Sequence, residues 1–474
     1  MENVNFTQDR MKKMDKEYDV IIVGAGPAGI FAALEILKYN QKSVKVLILE
    51  KGKAIPKRKC PMREQKTTCQ QCNPCSLLCG WGGGGAFSDG KLNLTSAFGG
   101  NLSDYISEDE LNSLIQYADE LYCHFGAEDS VYGNDQEKIE WIKKEAAMAN
   151  LKFVPALIRH LGTEKCLTVL KNIYDFLEDK IEIKTDTEVV SVVREDDEVQ
   201  GVLTSEKEFI RGKYIILAPG RVGAEWLKNQ ATELGLPVFR NPVDVGVRVE
   251  VPAVILEHLT ETLYESKLVY YSTFFDDRVR TFCMCPHGEV VMEYNNGITT
   301  ANGHSYKNKK TDNSNFAILV STTFTEPFQE PIAYGKYIAN LANILSGGLI
   351  IQRLGDLLSG RRSTPDRINN SIVTPTLHSA TPGDLSFALP YRILSDILEM
   401  LQALDKIAPG VYSEHTLLYG AEVKFYSARL DLSSQLETRI KNLFAIGDGA
   451  GITRGLIQSS VSGIIAAREI NGRR

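Results

Sequence analysis

No run in this 474-residue chain is both long enough and apolar enough to read as a membrane span. The most apolar of its long uncharged stretches, Tyr337 to Gln352, is broken by Asn340, Asn343, Ser346 and two glycines, and reads as a buried helix with its turn. Basic charge is not in excess either. Against 60 acidic residues stand 53 Lys and Arg, and the resulting net charge of −7 excludes a nucleic-acid protein held by a global positive field. There is no internal repeat and no low-complexity linker, and the first 16 residues lack the apolar core of a signal peptide. They are expected as a loose polar tail. Nine cysteines, five of them between Cys60 and Cys79, then point to a reducing cytoplasm where thiols stay free or bind metal. With 43% hydrophobic residues the chain can bury a sizeable core, and its length suggests about three units.

What is present begins at YDVIIVGAGPAGIFAALEILKY. Asp19–Val23 reads as a buried strand, Pro27–Tyr39 as an amphipathic helix, and Val44–Leu49 as a second buried strand ending at Glu50. Gly24, Gly26 and Gly29 form G-x-G-x-x-G at the strand-to-helix turn. The first allows the tight turn, the second lets a pyrophosphate approach the backbone, and the third lets helix and strand pack closely. Free amides and the positive dipole end of the helix face that pyrophosphate, and Glu50 is placed to accept from ribose hydroxyls. A strand on each side and an acid at the right distance make this a dinucleotide site.

The far end says which dinucleotide. In NLFAIGDGAGITRGLIQSSVSG, Leu443–Ile446 is a short buried strand closing on Gly447 and Asp448, followed by a helix opened by glycines over Gly455–Arg468. A carboxylate there can take a hydrogen bond from a ribityl chain, and the helix N-terminus can face the flavin N1/C2=O edge. Lys213–Gly220, KYIILAPG, is another strand closing on glycine.

These motifs resemble the superfamily of two-dinucleotide-fold FAD oxidoreductases. Within it the chain resembles a largely uncharacterised family of FAD-dependent dehydrogenases with a cysteine-rich segment before a GGxGAFSDGK loop. The matching stretches are CPMREQKTTCQQCNPC, GWGGGGAFSDGKL, RHLGTEK, NPVDVGVRVE, ALPYRILSDIL, GAEVKFYSARL and IGDGAGITRGLIQSS. The resemblance implies FAD contacts at Gly24, Gly26, Pro27, Ala28, Gly29, Glu50 and Lys51. It implies further contacts at Gly82, Gly83, Gly84, Val189 (in a strand at Thr187–Val192), Gly220, Gly447, Asp448, Gly455, Leu456 and Ile457. Since no second G-x-G-x-x-G follows a later strand, a dedicated NAD(P)H domain is not expected. Electrons then come from a transiently bound NAD(P)H, a protein partner or the organic substrate.

Residues 69–91, CQQCNPCSLLCGWGGGGAFSDGK, hold two devices side by side. Glycines 82–85 can bring backbone amides to the pyrophosphate and flavin edge. Cys69, Cys72, Cys75 and Cys79 have the spacing of a bacterial ferredoxin run, with Cys60 upstream; Cys60 or Cys79 is the fourth ligand. A 4Fe-4S cluster, a four-thiolate zinc site and free thiols all remain open. Seven basic residues from Lys51 to Lys66 against the single acid Glu64 would balance bound thiolates, and would suit an acidic ferredoxin-like carrier.

Candidate catalytic residues are Lys91 beside Asp89, His378 as a proton donor, and Arg454 before the flavin-facing helix; Lys91 and Asp89 pairing on a surface turn is the alternative for that pair. Arg361 and Arg362 are a candidate carboxylate clamp. Arg248, alternating with valines in VGVRVE, is expected on a solvated strand face, with a place in the cleft as the alternative, and Cys283 and Cys285 in the core or lining a substrate pocket. The fold class is α/β. A discontinuous Rossmann-like FAD-binding domain (17–100, 150–240, 420–474) carries a helical insertion at 101–149. An inserted α+β substrate or cap domain spans 241–419, with the substrate cleft expected between the domains. The expected function is hydride transfer between flavin N5 and a small organic substrate, with no nucleic acid and no membrane. An iron–sulfur electron-transfer protein and a non-redox flavin isomerase or hydratase are the alternatives.

Overall fold

The runs VIIV, VLIL and YIIL are the buried centre of a parallel sheet. A computed structural model describes residues 17–474 other than 40–43, 62–63, 65–69, 71, 296, 307–308 and 325–329. In it, Glu17–Val23 pairs in parallel with Val46–Leu49 on one side and Phe209–Leu217 on the other. Glu182–Lys184 extends the sheet beyond Val46–Leu49, and Leu443–Ala445 pairs with the end of Phe209–Leu217. Strands covered on both faces need continuous apolar sequence, not alternation; Val20, Ile21, Ile22, Leu47, Ile48, Ile215 and Ile216 are fully buried. The start of Phe209–Leu217 pairs antiparallel with Glu198–Thr204, which in turn pairs with Val189–Glu195. The first helix, Pro27–Tyr39, packs on the last, Leu456–Gly472. They approach so closely that a side chain at Gly463 would strike the Ala28 carbonyl.

The chain forms two compact units. One takes in the chain up to Glu128, Thr163–Phe239 and Ser427–Arg474; the other takes in Asp129–Gly162 and Arg240–Tyr426. Residues 101–149, expected as one insertion, are shared: the helix Glu108–His124 lies in the first unit and Gln136–Met148 in the second. Residues 150–162, read with the FAD-binding domain, fall in the second unit, where Lys152–Val154 is an edge strand. Helical periodicity marks each apolar face without saying what covers it. The expected tail, residues 1–16, lies outside the described residues.

The second unit is built on an eight-stranded sheet with Val243–Pro252 and Asn313–Thr322 at its centre and Leu417–Lys424 beside them, all antiparallel. Alternation along VDVGVRVEV puts Val243, Val245, Val247, Val249 and Val251 on one face, in a core with Leu256, Ile397 and Met400. The other face carries Asp244, Arg248 and Glu250, each no more than 2% exposed.

The solvated position expected for Arg248 is therefore wrong. Its guanidinium donates to Asn315 Oδ1 at 2.8 Å, the Cys283 carbonyl at 2.6 Å and Cys285 Sγ at 3.2 Å, and lies 3.6 Å from Glu422. The hairpin Glu289–Asn295/Ile298–His304 explains this, because a side chain at Gly303 would strike the guanidinium. Alternation shows that one face is apolar; it does not show that the other is covered. Cys285 is buried, as expected of core, and Cys283 is half-buried.

Arg248→Met should lower the unfolding free energy by about 3–5 kcal/mol, because Glu422 is left buried beside one cation fewer. The double variant with Glu422→Leu should recover part of that loss. Chemical denaturation of both checks it; equal loss in single and double variants would show the pair to be uncoupled.

Candidate functional site

The first β-strand turns into its helix at Gly24, whose φ of +106° and contact with the Ala218 carbonyl admit no side chain. Gly29 packs on the Gly24 carbonyl in the same way. Gly26 differs: nothing lies within 4 Å of where its side chain would project. The protein itself does not require glycine there, and the space is open for a ligand to approach the backbone.

Glu50 is 7% exposed and its carboxylate gathers three segments. Its Oε2 accepts from the Ala25 amide at 2.8 Å, and its Oε1 from the amides of Gly52 and Gly80, each at 2.8 Å. Oε2, with a single donor, keeps acceptor capacity for a hydroxyl. Beside it is a cavity of about 530 Å³ lined by Lys51, Lys53, Cys72, Asp186, Glu188 and Ser205, among others. Lys51 pairs with Glu188 at 2.8 Å, one residue before Val189.

The glycine segment lies over the first helix. Gly82 donates to the Ala25 carbonyl at 2.7 Å. A side chain at Gly83 would come within 3.2 Å of Gly26 Cα, and one at Gly85 within 2.8 Å of Leu456 at the start of the last helix. Gly84 is exposed. One buried cation shapes this loop. Arg58 donates to the carbonyls of Ser76 (2.9 Å), Leu77 (3.0 Å), Trp81 (2.6 Å) and Gly83 (2.9 Å), and lies over the Phe87 ring. Burial pulls its pKa down to about 10. Sequence reasoning counted Arg58 among the basic residues of an outward-facing field; it points inward. A run of neighbouring Lys and Arg gave no signal to set it apart.

The cysteines divide by exposure. Cys72 is exposed, Cys60 and Cys75 are half-buried, and Cys79 is buried. Burial, then the neighbouring Glu50, pushes the Cys79 thiol up to about 11. Among the described residues no three Cys, His, Asp or Glu come together as metal ligands. Cys69 lies outside the described residues.

At the far end, Gly447 donates to Ser462 Oγ at 3.0 Å, and Asp448 accepts from Thr453 Oγ1 at 2.7 Å and Arg221 Nε at 2.8 Å. Arg221 was not picked out from sequence, although it directly follows the Lys213–Gly220 motif. Gly220 itself borders open space. The last helix begins after Gly455 with no side chain capping its first amides, so those of Leu456 and Ile457 have none from a cap. Arg454 is held by its amide to the Gly99 carbonyl at 2.8 Å. Lys91 does pair with Asp89, at 3.2 Å, but at 9% exposure the lysine is buried and not on a surface turn.

In the second unit, His378 is exposed, and Arg361 is bound to the buried Asp356 at 2.9 Å. Asp356 also accepts from Ser363 Oγ at 2.8 Å, so Arg361 anchors its own turn.

Residues 242–425 match the family model described as FAD-dependent protein, C-terminal domain-like. The matched residues fall within the second unit. A relative from Clostridium beijerinckii, described as an uncharacterized protein, is 27% identical over 478 residues, covering 95% of this chain and 80% of that protein. Similar solved structures include glycine oxidase from Geobacillus kaustophilus, with 12% identity, coverage of 97% of this chain and 95% of that one, and a TM-score of 0.39. L-proline dehydrogenase from P. horikoshii has 10% identity, the same coverage and a TM-score of 0.40. Likeness at this level says nothing of substrate.

Two measurements test the site. Glu50→Gln sets an amide donor against the Ala25 or Gly80 amide, and should cost about 1–3 kcal/mol of stability by denaturant titration. Iodoacetamide at pH 8 on the native protein should label Cys72 well before Cys79, as read by peptide mass spectrometry. The fold's preference for the Cys79 thiol is in force below its ordinary pKa and fades only as pH climbs through about 11. Labelling of both at one rate would contradict the buried position.

Proposed function

We propose that the chain is an FAD-dependent oxidoreductase that moves hydride between flavin N5 and a small organic substrate. The observation that supports this most is the open space at Gly26. It opens at the N-terminus of the first helix, in a turn whose other two motif glycines are fixed by protein contacts.

Bound FAD supplies the hydride chemistry; the protein positions and tunes it. The residues present fit it. The turn at Gly24, Gly26, Pro27, Ala28 and Gly29, with Gly82, Gly83 and Gly84 above it, would hold the pyrophosphate through backbone amides and the helix dipole. Glu50 Oε2 would take a ribose hydroxyl, with Lys51 and Val189 at the adenosine end beside the 530 Å³ cavity. Asp448, fixed by Arg221 and Thr453, would accept from the ribityl chain next to Gly220 and Gly447. The uncapped amides of Leu456 and Ile457 after Gly455 would stabilise negative charge on the ring. With no second G-x-G-x-x-G after a later strand, a transiently bound nicotinamide or the organic substrate is the electron source in this reading.

Gly26→Ala is the discriminating variant. It adds one methyl into space the protein does not use, so the melting temperature of flavin-free protein should not change. FAD affinity, measured by fluorescence quenching on reconstitution, should fall at least about tenfold, or 1.4 kcal/mol. Unchanged affinity would remove the ligand from that space.

A further inference from the structure

The uncharged stretch that begins at Tyr337 is not buried all round. It belongs to the helix Pro331–Ser346, which lies on the second unit's Leu417–Lys424 and Ile298–His304 strands. The face on the strands is built largely of small residues: Gly335, Ala339 and Ala342 are buried there with Pro331 and Ile338. Gly335 sits so close that a side chain would come within 2.8 Å of Val243 and 2.9 Å of Val423. The large apolar residues are left outside. Tyr337 is 75% exposed, Leu341 41%, Ile344 72% and Leu345 48%. Their spacing of four, three and one residues puts them in one stripe of a helix. The other exposed residues of this helix are Lys336 and Asn340, and Lys336 is its single charge.

Exposed apolar residues are ordinary when scattered singly; a stripe of four on one helix is not. Met292, 43% exposed, continues it, since its sulfur is 3.6 Å from where a side chain at Gly348 would project, four positions past Ile344. At about 200 Å² for each large side chain, the five expose about 500–600 Å² of apolar surface, the upper end of what a monomer leaves in water. A homodimer interface of ordinary size takes about 800 Å² from each subunit, of which about 65% is apolar, or about 520 Å². The stripe supplies that amount.

Charge decides how two copies meet. The helix has one cation, in its first half, and no acid, so a parallel pair would set Lys336 against Lys336. An antiparallel pair about a two-fold axis at Leu341 sets it instead beside the last turn of the other helix, around Ser346, where the negative end of the dipole lies. The same arrangement puts Leu341 against Leu341 and Tyr337 against Leu345, and neither helix has a carboxylate to bury. A lipid surface would call for a row of basic residues beside the stripe, and this helix has one. We propose that the stripe is the two-fold interface of a homodimer in which Pro331–Ser346 packs antiparallel on its copy, centred on Leu341.

Sedimentation velocity on the full chain with FAD added, from about 0.5 to 50 µM, tests it, since interfaces of this size hold at micromolar concentration or below. The expected species has twice the mass of one chain. Leu341→Glu sets two like charges together at the axis and should raise the dissociation constant at least about hundredfold, with the melting temperature unchanged because the position is part-exposed. Leu341→Cys should crosslink to its own copy under mild oxidation, well beyond the wild-type background. Tyr337→Cys, about 12 Å from its own copy along the axis, should not, but should crosslink when mixed with Leu345→Cys. The cysteine pairs decide the matter if Leu341→Glu folds poorly. A monomer at every concentration, or a dimer that Leu341→Glu leaves intact, would overturn the proposal. So would Tyr337→Cys crosslinking to itself as readily as Leu341→Cys, or a monomer that floats with phosphatidylcholine–phosphatidylglycerol vesicles, which would make lipid the occupant. The flavin reading would survive each of these.

Discussion

Three stretches that are far apart in the chain meet on one carboxylate. Glu50 receives the Ala25 amide from the first turn, the Gly52 amide from its own strand end and the Gly80 amide from the loop that joins the cysteine and glycine segments. Three amide donors on a nearly buried acid both stabilise its charge and leave the donors with no equivalent partner if it is lost. From Gly80, pinned here, the chain runs on to Gly82, which donates to the Ala25 carbonyl, and to Gly83, which lies close to Gly26 Cα.

Buried arginines play a matching part in each unit. Arg58 spends its donors on four backbone carbonyls of one loop, so an irregular segment with few ladder bonds still satisfies its polar groups. Arg248 instead joins strands, reaching Asn315 on the neighbouring strand and Cys283 and Cys285 on the strand beyond it. In both places the planar, five-donor guanidinium does what an ammonium could not, since several acceptors at fixed angles must be met at once.

Much of the first unit was legible because its signals are local. Continuous apolar runs such as VIIV and VLIL mark strands buried on both faces, and the glycine spacing with Glu50 marks the turn between them. What escaped was set by partners distant in sequence. Nothing near Arg58 tells it from Lys57 or Lys59, and Arg221 gains meaning only from Asp448, 227 positions later. Arg248 was misread because alternation reports one face of a strand, while the hairpin over the other face lies some fifty residues on. The division of 101–149 between the units escaped for a related reason: an amphipathic helix advertises that it needs a partner, not which one.

The close crossing of the first and last helices at Gly463 has a bearing on biosynthesis. The strand Leu443–Ala445 and the helix Leu456–Gly472 are translated some four hundred residues after Glu17–Val23 and Pro27–Tyr39, yet they join the sheet of the one and cover the other. The apolar flank of Pro27–Tyr39 must therefore wait, without its native cover, while some four hundred residues emerge from the ribosome. A domain assembled from such distant pieces gathers its native contacts late. The second unit, encoded almost wholly between those ends, draws its contacts from a shorter span of chain.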